Sequence, residues 1–307
     1  MKDMIIIGAG PGGLTAAIYG MRAGLDLIVL EKLSPGGQVM NTYEVENYPG
    51  FAQPVPGWEL VSAMESQARR LNAEIVSGEV TLIGKDAGSK CFTLRLADGS
   101  SLESKTVIIA TGASYRALGV PGENEFLGRG VSYCATCDGA FFRDRITLVV
   151  GGGDTALEEA HFLTRFASRV YLVHRRDCFR GMKILQDRVL SCEKIIPVYS
   201  SVVTGIHGEG KVQSVSLKNA DTGAESSIET DGVFIFVGYE PNTGFVPSQL
   251  LNKQKEVLTD SQMQTQIPGL YAIGDVRSDS KRQIVMACAD GATAALNAYD
   301  YITALSC

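Results

Sequence analysis

The 307-residue chain has one tryptophan and three histidines. Histidines scattered at positions 161, 174 and 207 do not make a metal centre, which needs ligands gathered at fixed spacing, and no metal is expected. Positive charge is also short: 28 lysines and arginines stand against 34 aspartates and glutamates, a net charge of −6. Nucleic-acid binding draws on a broad cationic excess, so it is not expected, and any basic patch must be local. Long apolar runs are missing as well. The opening Met1-Lys2-Asp3-Met4-Ile5-Ile6-Ile7-Gly8 reaches a glycine turn after four apolar residues, too few for a signal-peptide core or a membrane span. A cytoplasmic protein without membrane contact is therefore expected. A disulfide framework is lacking too: the seven cysteines, at 91, 134, 137, 178, 192, 288 and 307, are odd in number and mostly scattered. What remains is an apolar content of 45 % in a chain long for one core, so two domains are expected.

Glycine is abundant, and its placement repeats. The apolar strand Met4 to Ile7 runs into Gly8-Ala9-Gly10-Pro11-Gly12-Gly13, a helical stretch from Leu14 to Ala23, and a strand from Leu27 ending at Glu31. Ile146 to Val150 runs into Gly151-Gly152-Gly153-Asp154-Thr155-Ala156, a helix from about Leu157 to Phe166, and a strand from Val170 ending at His174. In such a unit Gly8 or Gly151 permits the tight turn, and Gly10 or Gly153 lets backbone approach a pyrophosphate. Gly13 or Ala156 lets helix and strand pack closely, while the helix N-terminus, here with Asp154 and Thr155 in the second unit, faces the anion. Glu31 and His174 both follow the first glycine by 23 residues. A carboxylate there binds ribose hydroxyls and repels a 2′-phosphate, whereas His174, Arg175, Arg176 and Arg180 would surround one. The first unit thus expects FAD or NAD, and the second NADPH.

Val107-Ile108-Ile109-Ala110-Thr111-Gly112 and Val233-Phe234-Ile235-Phe236-Val237-Gly238 lie 126 residues apart and look like equivalent strands. The proline-containing stretches after them read as two crossings between domains. The expected fold is α/β, with two Rossmann-like, three-layer nucleotide-binding domains. The NADPH domain, residues 114–244, is inserted into a discontinuous FAD domain, residues 1–113 and 245–307. A strand ending at Gly274-Asp275 and a helix from Ile284 to Tyr301 complete the first domain, and Asp275 there suits a sugar-alcohol chain.

The chain resembles the low-molecular-weight, FAD-dependent thioredoxin reductases of bacteria. The resemblance rests on Gly8-x-Gly10-x-x-Gly13 with Glu31, Gly36-Gly37-Gln38, Asn47-Tyr48-Pro49-Gly50, Ala110-Thr111-Gly112, Cys134-Ala135-Thr136-Cys137-Asp138-Gly139, His174-Arg175-Arg176 with Arg180, and Gly274-Asp275 with Arg282-Gln283. It implies that Gly37, Gln38, Asn47, Asp275, Arg282 and Gln283 line FAD, that NADPH is the reductant and thioredoxin the protein substrate, and that the chain is a homodimer.

Two thiols three residues apart could hold zinc or cycle as a disulfide. Zinc requires more ligands than one such pair provides, and no second pair exists. A flavin takes two electrons from a nicotinamide and hands them to a disulfide, so Cys134 and Cys137 are expected to be the relay, with Cys137 against the flavin. Asp138, if burial raises its pKa, can move the proton that the thiols exchange. Because the pair lies in the NADPH domain, that domain is expected to rotate between half-reactions, with Phe141 and Phe142 available for docking thioredoxin. The alternatives are a reductase of another redoxin-like protein, an FAD-dependent dithiol oxidase, which would have no use for a 2′-phosphate site, or a non-catalytic flavin- and nucleotide-binding redox sensor in which the cysteine pair is a switch. Arginines on either side of Cys178 are expected to lower its thiol pKa.

Overall fold

Met4 and Ile6 enter one apolar core and Ile5 and Ile7 another, and all four are buried. A strand that is apolar on both faces belongs inside a parallel sheet covered on both sides. The computed structural model describes residues 1–42, 45–85 and 91–305, without the side chains of residues 41 and 137. In chain order it begins with β1 (Lys2–Ile7), α1 (Pro11–Arg22), β2 (Leu27–Glu31), α2 (Gly57–Arg70), β3 (Glu74–Ser77), β4 (Val80–Gly84), β5 (Phe92–Leu96), β6 (Ser101–Ile109) and β7 (Ala113–Tyr115). β3, β2, β1 and β6 form a parallel sheet in that order, and β5 and β4 continue it antiparallel from the first half of β6.

The next stretch comprises β8 (Val131–Ser132), α3 (Ala135–Asp138), β9 (Ile146–Gly151), α4 (Asp154–Leu163), β10 (Arg169–Val173), α5 (Lys183–Leu190), β11 (Ile195–Val198), β12 (Ser201–Gly208), β13 (Val212–Asn219), β14 (Glu225–Glu229) and β15 (Gly232–Phe236). Its parallel sheet has the order β11, β10, β9, β15, β8. One face is covered by apolar residues of α4 and α5, and the other by the antiparallel sheet of β12, β13 and β14. The chain then passes through β16 (Tyr239–Pro241), β17 (Leu270–Ala272) and α6 (Ile284–Leu305). β17 pairs in parallel with the second half of β6, as β8 does with β15. The duplication read in the glycine turns thus extends to sheet order.

The chain divides into two units, Met1–Ser114 with Glu240–Cys307, and Tyr115–Tyr239. The second division falls five residues earlier than the sequence reading, because Asn242 is tied to the first unit. Its Nδ2 donates to the Thr111 carbonyl at 2.9 Å, its carbonyl accepts from Thr111 Oγ1 at 2.8 Å, and its Oδ1 accepts from Ser114 Oγ at 2.8 Å. Both dinucleotide helices also start earlier than expected, at Pro11 and Asp154, directly after the extended residues Gly10 and Gly153. The glycine turn is itself the helix entrance, and proline suits the first turn because its missing N–H would have been unpaired there. Within the first unit α1 and α6 approach closely. A Cβ on Gly291 would lie 2.3 Å from the Gly12 carbonyl oxygen, so the position inside α6 admits only glycine without a backbone shift.

Candidate active site

In the first unit Gly8 has φ +106°, and a Cβ there would meet the Ala110 carbonyl oxygen at 2.4 Å. A Cβ on Gly13 would lie 1.9 Å from the Gly8 carbonyl oxygen. These contacts draw the turn against β6 and leave Gly10 with open space on the side a Cβ would fill. No side chain caps α1 and no acid lies in its first turn, so its leading N–H groups are available to an anion. At the end of β2, Glu31 accepts from Ala9 N at 2.7 Å and from Leu33 N at 2.9 Å, which fixes its carboxylate beside the turn. Gln38 donates to the Ala113 carbonyl at 3.0 Å, next to Gly37, which has φ +58°. Asn47 Nδ2 donates to Gln283 Oε1 at 2.9 Å, joining two expected cofactor residues 236 positions apart. Burial raises the Asp275 carboxyl, against a hydrogen bond from Ser280 and the charge of Arg282, which lower it. Open space beside Gly10, uncapped N–H groups at the start of α1 and the Glu31 carboxylate at the side of the turn fit the ADP half of FAD.

Asp290 and Arg277 were not found from the sequence. Asp290, buried in α6, accepts from Arg277 Nε at 2.7 Å, from Arg277 Nη2 at 3.1 Å and from Gly274 N at 3.0 Å. The pair fastens the turn that carries Asp275 to the helix. An acid within the small-residue run Cys288-Ala289-Asp290-Gly291-Ala292 was the available signal.

In the inserted unit Gly153 has the same open side, and α4 has no side-chain cap. Arg180 N and Gly181 N donate to the Gly152 carbonyl at 2.7 and 3.2 Å, folding the arginine loop over the glycine turn. Arg175, Arg176 and Arg180 are exposed there. His174 is instead buried. A Cβ on Gly152 would lie 2.4 Å from its Nδ1, and its ring is 5.8 Å from that of Phe179. Burial, followed by the charges of Arg180, Arg176 and Arg175, lowers the His174 pKa. A neutral imidazole beneath the turn supports the cradle, and the three guanidinium groups supply the charge that fits a 2′-phosphate. Asp154 accepts from Met182 N at 2.7 Å and Thr155 Oγ1 lies 2.9 Å from Tyr239 Oη, so both residues also brace the turn. For Cys178 the expected shift is overturned: a hydrogen bond to Asp177 and the charge of that carboxylate raise the thiol pKa, outweighing Arg176.

The cysteine turn lies in the same unit. Ser132 Oγ accepts from Cys134 N at 3.0 Å, and Asp138 N donates to the Cys134 carbonyl at 3.2 Å, closing a single helical turn. Cys134 is disulfide-bonded, whereas Cys91, Cys178, Cys192 and Cys288 are thiols outside any disulfide. The side chain of Cys137 lies outside the described residues. Asp138 is half-buried. Tyr133 donates to Glu123 at 2.6 Å, and Glu123 also accepts from Leu118 N and Gly119 N. Beyond the turn, Phe142 packs edge-on against Phe234 with ring centroids 5.3 Å apart, while Phe141 is 77 % exposed. Glu159 was also missed. Its Oε2 accepts from Ala135 N at 3.1 Å, between the two cysteines. Among the described residues no group of His, Cys, Asp and Glu is arranged to hold a metal, and no helix is long and apolar enough to cross a membrane.

Residues 2–291 match the family described as pyridine nucleotide-disulphide oxidoreductase. The chain is similar to a thioredoxin reductase of Listeria innocua, at 47 % identity over 99 % of this chain and 94 % of the relative. It is similar to one of Bacillus subtilis at 45 % identity, over 99 % and 95 % of the two chains. Among solved structures, the thioredoxin reductase of Lactococcus lactis in the FR conformation matches with a TM-score of 0.96 and 44 % identity, over 99 % of this chain and all of that one.

Proposed function

The chain belongs to the pyridine nucleotide-disulphide oxidoreductase family, and from that premise we propose that it is an NADPH-dependent thioredoxin reductase whose exchangeable disulfide is Cys134–Cys137. FAD is assigned to the unit built on β1 and NADPH to the unit built on β9. The observation that carries the reading is a disulfide-bonded Cys134 on a single turn, in the unit that also holds the exposed Arg175, Arg176 and Arg180.

Bound FAD supplies a two-electron carrier between a nicotinamide and a disulfide. The chain contributes the rest. Gly8, Gly10 and Gly13 shape the first cradle, Glu31 takes the ribose hydroxyls, and Gly37, Gln38, Asn47, Asp275, Arg282 and Gln283 line the remainder. In the second unit Gly151, Gly153, Asp154 and Thr155 form the pyrophosphate turn over His174, and Arg175, Arg176 and Arg180 select the 2′-phosphate. Once reduced, the thiols of Cys134 and Cys137 reduce the thioredoxin disulfide and re-form their own S–S bond. Asp138, adjacent to Cys137, moves the proton that the leaving thiolate needs. Phe141, exposed while Phe142 is packed, is the apolar contact for thioredoxin. Nicotinamide site and cysteine turn share one unit, so rotation of that unit on the crossings β7 and β16 would present them alternately. The protein works in the cytoplasm, as a homodimer.

The test is anaerobic mixing with NADPH, followed by oxidised thioredoxin. The yellow colour is expected to bleach and then return. Bleaching without return would leave a different redoxin-like substrate, and no bleaching would favour a dithiol oxidase or a redox sensor. The same trace from protein with its two units cross-linked is expected to stall in one half; an unslowed trace would overturn rotation.

Substituting Arg176 and Arg180 by alanine removes two charge-assisted contacts to the 2′-phosphate. KM for NADPH is expected to rise about 10²-fold or more, with KM for NADH little changed. Equal changes for both nucleotides would reject the arginine assignment.

A further inference from the structure

Glu159 belongs neither to the glycine turn nor to the cysteine pair, yet it joins them. It lies on α4, one helical turn beyond Thr155, with its carboxylate directed at the backbone of α3. Oε2 accepts from Ala135 N at 3.1 Å, and Thr136 N also donates to the carboxylate. Both donors lie between Cys134 and Cys137. At the first turn of a helix, N–H groups are the natural partners of a thiolate on the residue that opens it. Here a carboxylate already occupies them.

We propose that Glu159 is a positioning residue for the dithiol relay: it ties the Ala135–Thr136 backbone to the NADPH-binding helix, and the negative charge it sets against those N–H groups disfavours a thiolate on Cys134, keeping this sulfur protonated until exchange. The proposal rests on the reading of Cys134 and Cys137 as the redox pair. The groups that face the carboxyl are the two backbone donors from α3, Glu158 from its own helix, and Tyr115 from β7, whose hydroxyl pKa is raised mainly by burial and also by the Tyr239 and Glu159 charges. Burial pushes the Glu159 carboxyl up to about 7, with Glu158 adding to the shift and the two N–H groups opposing it. The raised value has a definite sign in stability. The ordinary glutamate value is near 4.5, so the stability that the protonated carboxyl contributes is fully present below about 4.5 and is lost as pH rises through about 7.

Glu159→Gln keeps the shape and an acceptor for Ala135 N but removes the charge. Glu159→Ala removes the tether as well. The holoenzyme is reduced anaerobically with NADPH and treated with iodoacetamide across a pH series, and alkylation of the Cys134 peptide is followed by mass. Cys134 in Glu159→Gln is expected to react about three- to tenfold faster near neutral pH, with its rate profile displaced to lower pH. Glu159→Ala should show the same displacement and, in addition, slower passage of electrons to thioredoxin. That second defect should be absent from the glutamine variant. The melting temperature of Glu159→Gln relative to the parent should climb between about pH 5 and about pH 8, which verifies folding independently of the thiols. Superimposable alkylation profiles for parent and Glu159→Gln would overturn the positioning role alone. Failure of NADPH to make Cys134 alkylatable would remove the relay reading and this proposal with it.

Discussion

Cys134→Ser is expected to stop thioredoxin reduction almost completely, by on the order of a thousandfold or more, while NADPH still bleaches the bound flavin. Reducing a protein disulfide takes two electrons, which the chain delivers by exchanging two S–H bonds for one S–S bond. Serine cannot form that bond. The thiol left at Cys137 can attack thioredoxin and hold it as a mixed disulfide, but no second thiol remains to release it. The variant should therefore accumulate a covalent adduct with thioredoxin, visible by mass and dissolved by added dithiol. Cys91, Cys178, Cys192 and Cys288 are not part of the disulfide, so their serine variants are the controls. Sustained turnover by Cys134→Ser would remove the pair from the mechanism.

The second large effect is on stability. In the Arg277–Asp290 pair the side chains are 13 % and 6 % exposed, and the two groups meet through two nitrogens of the guanidinium. Asp290→Ala leaves Arg277 largely desolvated without its counter-charge and Gly274 N without its acceptor. Breaking a buried pair from one side costs about 3–5 kcal/mol. Because Gly274 precedes Asp275, loss of FAD on gel filtration should accompany the fall in melting temperature. A double variant, Arg277→Met with Asp290→Leu, should recover much of the stability, since replacing both charges avoids the unpaired ion. If Asp290→Ala unfolds within about 1 kcal/mol of the parent, the pair is not the fastening described.

What the sequence discloses is what local chemistry forces. Glycines that must admit a neighbouring carbonyl, as Gly8 and Gly13 do, are legible because no other residue fits, and the equal offset of Glu31 and His174 follows from the length of a strand, turn, helix and strand. The beginnings of α1 and α4 were read too late because a glycine turn looks like loop in composition, although its last residues already have helical backbone. His174 shows a limit of reading by equivalence. It occupies the position of Glu31, but burial turns it beneath Gly152 and leaves the charge to the arginines. Glu159 and Asp290 escaped notice for a related reason. Each is an acid on a helix that could face water, and only tertiary packing brings Ala135 N or Arg277 to it.

The pairing of β17 with β6 also sets an order of synthesis. When β6 leaves the ribosome, β1 is already available on one side, but β17 is encoded about 160 residues further along. At about 5–20 residues per second the C-terminal half of β6 waits roughly 8–30 s with that edge unpaired, while the whole insert is translated. During that interval a nascent chain presents the apolar edge Val107-Ile108-Ile109, a segment that chaperones would be expected to shield until α6 and β17 emerge.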